Sequence, residues 1–184
     1  MNSGPIAYRY GKALLKYVQG TGSGENVYSQ AMTLVSIMAE VPQMADFITN
    51  ASDVSVDQKI SLLSTALGGD PDPAIVNFLK MVSTNRRLEY FPRMLWAFIE
   101  QYRQANNIKV GSIVTAVEIE GLRERLETLF QEKTGARVQL NVDVEPEILG
   151  GFVFELDGYR FDASVENHLA QIRRKLIEPN NRIV

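Results

Sequence analysis

Apolar side chains recur at three- to four-residue intervals through the first 107 residues of the chain, which is the spacing of amphipathic helices. Glycine or proline interrupts the pattern at short intervals, and six periodic stretches result. The apolar positions of the first stretch are Ile6, Tyr10, Ala13, Leu14 and Tyr17. Six short helices with brief connections predict a compact helical bundle.

Capping signals mark two of the predicted helix boundaries. Ser55 and Gln58 have the spacing of a capping box, in which the serine hydroxyl accepts a free backbone N–H and the glutamine reaches back to the cap. Gly68 follows the last apolar position of that helix and predicts its end. Asp72 then predicts the start of the fifth helix, directly before a proline.

The periodicity changes near Asn107. Residues 108–117 are rich in β-branched side chains and predict a strand, and a helical stretch follows at 122–130. Alternating apolar positions at 138–144 predict a second strand. Two more strands are predicted at 152–161, joined by a turn at Asp157 and Gly158, before a last helix. The sequence therefore predicts a mainly α protein, with a six-helix bundle at residues 1–106 and a small α+β domain at 107–184.

Composition and charge narrow the function. The 184 residues include 19 Lys and Arg against 22 Asp and Glu, and a net charge of -3 does not favour nucleic-acid binding. No cysteine is present, which excludes disulfides, thiolate metal sites and cysteine nucleophiles. No apolar run approaches the ~20 residues of a membrane-spanning helix, so direct membrane insertion is not expected. The first five residues do not resemble a secretory signal, which favours a cytoplasm-like compartment.

Three local features suggest chemistry, and each has a simpler interpretation. His168, the single histidine, lies on the last predicted helix without a nucleophile motif, which favours a packing or surface role. Glycine-rich residues 20–24 follow a helix, unlike a phosphate-binding loop, and predict an inter-helix turn. Carboxylates of the second domain lack a metal-ligand spacing and predict a solvated acidic surface. These carboxylates are Glu118, Glu120, Asp143, Glu145 and Glu147. We predict no catalytic residue, no metal site and no cofactor.

Three stretches of the chain together resemble one protein family. They are residues 7–14 (AYRYGKAL), residues 85–88 (NRRL) with Pro92 after them, and residues 140–154 (LNVDVEPEILGGFVF). Their order and spacing are similar to those of the delta subunit of the bacterial F-type ATP synthase, whose mitochondrial counterpart is the oligomycin-sensitivity-conferring protein. The resemblance covers almost the whole chain. One departure is that residues 8–10 have more aromatic side chains than relatives often have.

The resemblance implies a stator role and two partners. Members of this family join the catalytic head of the enzyme to its peripheral stalk and hold the head still while the rotor turns. The resemblance implies that residues 1–106 bind the amino-terminal helix of an ATP synthase alpha subunit. It also implies that residues 107–184 bind the b subunits of the stalk. The chain itself would be non-catalytic and would lie, through the complex, at the cytoplasmic face of the bacterial inner membrane.

The resemblance places the alpha-subunit helix in a groove between the first and fifth helices. Such a helix binds by laying its apolar face into an apolar cleft. The candidate binding residues are Tyr10, Ala13, Leu14, Tyr17, Phe78, Met81 and Val82. A small residue such as Ala13 permits close approach of a partner backbone, and the aromatic residues supply contact area. The same apolar stripes also suit the core of the bundle, and the sequence leaves both interpretations open.

Two alternative functions compete with the stator role. One is a free-standing helical adaptor that binds an unrelated amphipathic helix, which co-purification with ATP synthase subunits would distinguish from a stator. The other is a metal-assisted hydrolase that uses the carboxylates around Asp143 and Glu145, and micromolar binding of a divalent ion would support it.

Overall fold

The computed structural model describes residues 4–50, 54–156 and 158–177. The chain divides into two compact units, with the boundary between Asn106 and Asn107. Within the described residues the fold is mainly helical, with a small four-stranded sheet in the second unit. Asp157, where the sequence predicts part of a turn, and residues 178–184, the end of the predicted second domain, lie outside the described residues.

The described part of the first unit consists of α-helices and short connections. The helices are α1 (Gly4–Thr21), α2 (Gly24–Glu40), α3 (Pro42–Thr49), α4 (Val56–Leu67), α5 (Pro73–Thr84) and α6 (Phe91–Ala105), with a 3-10 helix at Leu88–Tyr90. Among the helices that the structure describes, none is both long enough and apolar enough to cross a bilayer.

Side-chain caps begin α4 and α5, and both predicted starts are confirmed. Ser55 Oγ accepts the backbone N–H of Gln58 at 3.3 Å, and Gln58 Oε1 accepts the Ser55 N–H at 3.0 Å, which completes the capping box. At the start of α5, Asp72 Oδ1 accepts the backbone N–H of Ala74 at 2.8 Å. Gly68 follows the last residue of α4, also as predicted. The caps satisfy backbone N–H groups that a helix leaves free in its first turn.

All six α-helices of the first unit contribute buried apolar side chains to its core. Helices α1 and α6 approach closely at Gly11, where a Cβ atom would lie 2.7 Å from the backbone nitrogen of Phe98. Only glycine permits this separation without a shift of the backbone. The largest fully buried side chains of the unit are Leu34, Ile48, Leu63, Ile75, Leu79, Phe91, Met94, Leu95, Phe98 and Ile99.

The apolar stripe predicted for the first helix is not the face that packs in the core. The buried residues of α1 are Ala7, Gly11, Leu14, Leu15 and Val18, so Leu14 is the one member that the two sets share. Gly11 adds little to a hydrophobic pattern, yet it faces α6 because a larger residue does not fit there, and the small Ala7 is also buried. The helix therefore has a buried face and, beside it, a second apolar face that the bundle does not cover.

The second unit is an α+β arrangement. Its elements are β1 (Ile108–Thr115), α7 (Leu122–Thr134), β2 (Arg137–Val144), a 3-10 helix (Pro146–Ile148), β3 (Phe152–Leu156), β4 (Tyr159–Asp162) and α8 (Val165–Ile177). The strand order is β2-β1-β3-β4. Strands β1 and β2 are parallel and connected through α7, whereas β1 with β3 and β3 with β4 are antiparallel pairs.

The first strand is shorter than predicted. It ends at Thr115, where the backbone N–H of Glu145 donates to the Thr115 carbonyl at 2.9 Å and the partner strand β2 has also ended. Val117, which the β-branched pattern assigns to the strand, is 64% exposed. Without a neighbouring strand to accept its backbone hydrogen bonds, a β-branched side chain does not by itself extend a strand.

Candidate functional site

The uncovered apolar face of α1 lies beside α5. Ala13 and Tyr17 are exposed, with 48% of the Tyr17 surface accessible. On α5, Phe78 and Val82 turn into the core, whereas Met81 stays 40% exposed. Large exposed apolar side chains on two adjacent helices form a continuous apolar surface.

A cavity of about 250 Å³ opens between these two helices. Leu14 and Phe78 form its floor, because both are buried, and the exposed Tyr17 and Met81 form its walls. The lining residues are Ala13, Leu14, Tyr17, Ala74, Asn77, Phe78 and Met81. We call this cavity and its walls the α1–α5 groove. An apolar cleft between two helices fits the apolar face of a third helix.

The structure brings five of the seven predicted binding residues together in the groove; the two outside the lining set are Tyr10 and Val82. Tyr10 adjoins the groove through Phe78, with ring centroids 6.4 Å apart in an edge-to-face arrangement. Val82 is fully buried, with 0% exposure, so it supports the floor and offers no surface to a partner. Val82 lies in the core because the helical period of α5 places it on the buried face with residues 75, 78 and 79.

Two lining residues were missed from the sequence. Ala74 and Asn77 precede Phe78 and Met81 by four positions each, so they share one face of α5 with them. The helical spacing that identified Phe78 and Met81 would have found both residues. A polar asparagine and a small alanine were overlooked because neither contributes to an apolar stripe.

Arg87 contacts Tyr10 beside the groove. Arg87 Nη1 donates to the Tyr10 hydroxyl at 3.3 Å, and the guanidinium carbon lies 5.7 Å from the centre of the Tyr10 ring. A turn after α5 presents the arginine: Asn85 Nδ2 donates to the Met81 carbonyl at 2.9 Å, and the Arg87 N–H donates to the Val82 carbonyl at 3.1 Å. The residues of the Asn-Arg-Arg stretch therefore end α5 and fix the position of Tyr10.

The second unit has a larger apolar surface of its own. A cavity of about 810 Å³ lies between α7 and the sheet. Its exposed apolar side chains are Val117, Ile119, Leu129, Leu149, Phe152 and Phe161. Apolar surface of this extent on a folded domain is typical of a protein-interaction site.

The apolar surface of the second unit stays open because α7 covers only part of one sheet face. Phe130 of α7 stacks on Phe154 of β3, with ring centroids 4.7 Å apart. Glu127 Oε1 accepts the backbone N–H of Leu140 at 2.8 Å, which holds α7 near the β2 edge. Phe161 pairs in register with Phe154 and so shares its face, yet it is 60% exposed. The β3–β4 side of the face is thus left without cover from α7.

The features examined for chemistry have structural roles in the described residues. His168 Nδ1 donates to the carbonyl of Ser164, the residue directly before α8, at 2.9 Å. Hydrogen bonds from the hydroxyl and backbone N–H of Ser164 lower the pKa of Asp162 below its usual value, at the start of the same helix. Carboxylates Glu118, Glu120, Asp143, Glu145 and Glu147 are exposed. No set of three or more His, Asp or Glu within the described part of the chain is placed to hold a metal ion.

An open apolar surface on each unit is typical of binding and scaffolding proteins. The particular family follows from sequence: the chain belongs to the ATP synthase delta (OSCP) subunit family, whose model matches residues 6–176.

Individual relatives agree with this assignment. The chain is 33% identical over 186 residues to the ATP synthase subunit delta of Phocaeicola vulgatus, with both chains covered completely. It is 34% identical over 187 residues to the ATP synthase subunit delta of Bacteroides fragilis, again with complete coverage of both. The alternative of a free-standing adaptor is therefore not favoured.

Structural comparison supports the same fold. A chain in the mitochondrial ATP synthase hexamer of Toxoplasma gondii matches with a TM-score of 0.60 and 22% sequence identity. The match covers 95% of this chain and 98% of the other.

Proposed function

We propose that this chain is a non-catalytic stator subunit of an F-type ATP synthase, and that it links the catalytic head to the peripheral stalk. Torque from a proton-driven rotor changes the catalytic sites only if the head does not rotate with it. A stator subunit therefore has to grip two partners at once, and an apolar docking surface on each unit suits that task.

The α1–α5 groove is the proposed binding site for the amino-terminal helix of an alpha subunit. The observation that carries this proposal is that five residues named from the sequence line one apolar cavity at the surface. A helix with apolar residues at i, i+3, i+4 and i+7 would place them against Leu14 and Phe78, between Tyr17 and Met81. Ala13 leaves space for the backbone of that helix.

The apolar surface between α7 and the sheet is the proposed binding site for the b subunits. Its volume of about 810 Å³ suits a helix or a helix pair better than a small ligand, because its walls are almost wholly apolar. Phe152 and Phe161 are the exposed aromatic residues that such a partner would cover. Engagement of both partners would hold the chain at the cytoplasmic face of the bacterial inner membrane.

Calorimetric titration of the full chain with a synthetic peptide of the alpha subunit's first helix tests this function. We expect one-to-one binding with a negative heat-capacity change, because binding buries apolar surface of both the groove and the peptide. Absence of binding by a chain with native circular dichroism would overturn the assignment of the groove. The chain would then share a fold with its family without sharing this contact.

A further inference from the structure

The two helices that form the groove carry basic residues and no acidic ones. Helix α1 has three basic residues, α5 has one, and the turn at residues 85–87 adds two more. These residues are Arg9, Lys12, Lys16, Lys80, Arg86 and Arg87. They represent six of the 19 basic residues of a chain whose net charge is -3, so the groove is a local exception to an acidic composition.

Three of these basic residues are close in sequence to residues that line the groove. On α1, Arg9 precedes Ala13 by four positions and Lys16 directly precedes Tyr17. On α5, Lys80 has the same relation to Met81. Each of these basic side chains is exposed. The apolar groove is thus flanked by positive charge on both walls.

The rim charges are not neutralised within the described part of the chain. The ion pairs of Arg103 with Glu100 and of Arg123 with Glu127 involve none of these six basic residues. Asp72, the acidic residue that directly precedes α5, accepts hydrogen bonds from the side chain of Asn26 and the backbone of Ala74 and forms no ion pair with these basic side chains among the described residues. A rim on which basic residues outnumber acidic ones repels a basic partner and attracts an acidic one.

We propose that the helix bound in the α1–α5 groove is acidic, with Asp or Glu on both sides of its apolar stripe. This inference rests on the proposed function, because it requires a helix in the groove. Carboxylates on one side of the helix pair with Lys16 and Arg9, and those on the other side pair with Lys80. The apolar stripe supplies most of the affinity, whereas the rim selects the partner and accelerates its association.

Three synthetic helical peptides with one shared apolar stripe test the inference on the full wild-type chain. Their flanking positions are all Glu, all Gln or all Lys. We expect the Glu peptide to bind about tenfold more tightly than the Gln peptide and the Lys peptide more weakly still, since each rim-exposed pair changes affinity by about two- to fivefold. At 1 M salt the three affinities should converge, because screening then acts within about 3 Å.

A charge-reversal variant tests whether Lys16 and Lys80 cause the preference for the Glu peptide. The double variant K16E/K80E should lose the preference for the Glu peptide and bind the Lys peptide best. The matched control R173E/R174E makes the same change of charge on exposed positions of α8, in the other unit, and should keep the wild-type order. Retention of the wild-type order by K16E/K80E would overturn the assignment of the rim.

The outcomes separate this inference from the function on which it rests. Equal affinities of the three peptides at low salt would overturn the acidic-partner inference and leave the groove as a helix-binding site. Failure of all three peptides and of the alpha-subunit peptide to bind a folded chain would overturn both. Titration of the three peptides against the wild-type chain distinguishes these outcomes even if a variant does not fold.

Discussion

Lys59 of α4 is buried, and its Nζ donates to the backbone carbonyl of Ile48 at 2.8 Å. Ile48 lies in the last turn of α3, where carbonyl groups have no partner within the helix. The lysine therefore satisfies a carbonyl at the negative end of the α3 dipole and joins α3 to α4. Burial lowers the pKa of Lys59 below its usual value, since the charged ammonium loses its hydration.

Replacement of Lys59 by methionine tests this bond. K59M keeps the apolar stem but leaves the Ile48 carbonyl without its donor, so we expect the free energy of unfolding at pH 7 to fall by about 1–3 kcal/mol. The unfolded chain binds more protons than the folded one between the lowered pKa and 10.5, so the wild type gains stability as pH rises through that window. The variant lacks this gain. Urea unfolding should show a larger difference in unfolding free energy between wild type and K59M at pH 10 than at pH 7. A difference that does not change with pH would contradict the effect of burial on the pKa of Lys59.

Gly11 offers a test of the contact between α1 and α6. G11A adds a methyl group 2.7 Å from the backbone nitrogen of Phe98, so the helices must separate, and we expect a loss of about 1–3 kcal/mol of unfolding free energy. Gly20 is a matched control on the same helix, because no atom lies within 4 Å of its virtual Cβ. G20A should be neutral or stabilise by up to about 1 kcal/mol. Equal effects of the two changes in thermal unfolding would exclude close packing at Gly11.

Features that depend on residues close together in the sequence were predicted correctly, whereas features that depend on packing between distant segments were not. The capping box of Ser55 and Gln58 was predicted correctly, because its hydrogen bonds join residues three positions apart. The core face of α1 was not, because the backbone of α6 decides that Gly11 is buried. Val82 was assigned to the groove for the same reason: spacing places it on an apolar face, but only the packing of α5 shows that this face points inward.

In the second unit, the same difference separates the prediction of single strands from the prediction of which part of the sheet a helix covers. Alternation in residues 138–144 predicted a strand with one apolar face, and β2 has that pattern. How much of the face a helix covers depends on where α7 lies, which the bond from Leu140 to Glu127 fixes across thirteen positions of sequence. The open apolar surface near Phe161 therefore had no signal in the pattern of single strands.

Substitutions of Met81 and of its neighbour Val82 should have different effects, one on binding and the other on stability. M81A removes a side chain that is 40% exposed in the groove wall, so we expect weaker binding of the alpha-subunit peptide and a change in unfolding free energy below about 1 kcal/mol. V82A removes buried methyl groups beneath the groove and should cost about 1.5–3 kcal/mol of stability. Calorimetry and urea unfolding on both variants check the pair. A larger loss of stability in M81A than in V82A would contradict the placement of these two residues.

An aspartate at position 13 should weaken binding in the groove. A13D places a carboxylate on an apolar wall that a bound helix would dehydrate, and we expect the affinity for the alpha-subunit peptide to fall by about 1–3 kcal/mol, or roughly 5- to 150-fold. Q19D is the matched control, because Gln19 is exposed on the same helix and does not line the groove. Unchanged affinity of a folded A13D chain would remove Ala13 from the site.

The second unit allows a corresponding test with a synthetic helix of a b subunit. Phe161 is 60% exposed and lines the cavity beside α7, whereas its neighbour Arg160 pairs with Glu155 in register and so lies on the opposite face of the sheet. F161S should weaken binding of a synthetic b-subunit helix at least tenfold, because an exposed aromatic side chain in an apolar cleft supplies much of its contact area. R160S alters the other face of the same strand and should bind that helix as the wild type does. If R160S lost more affinity than F161S, the stalk would dock on the polar face of the sheet, and the apolar cavity would need a different partner.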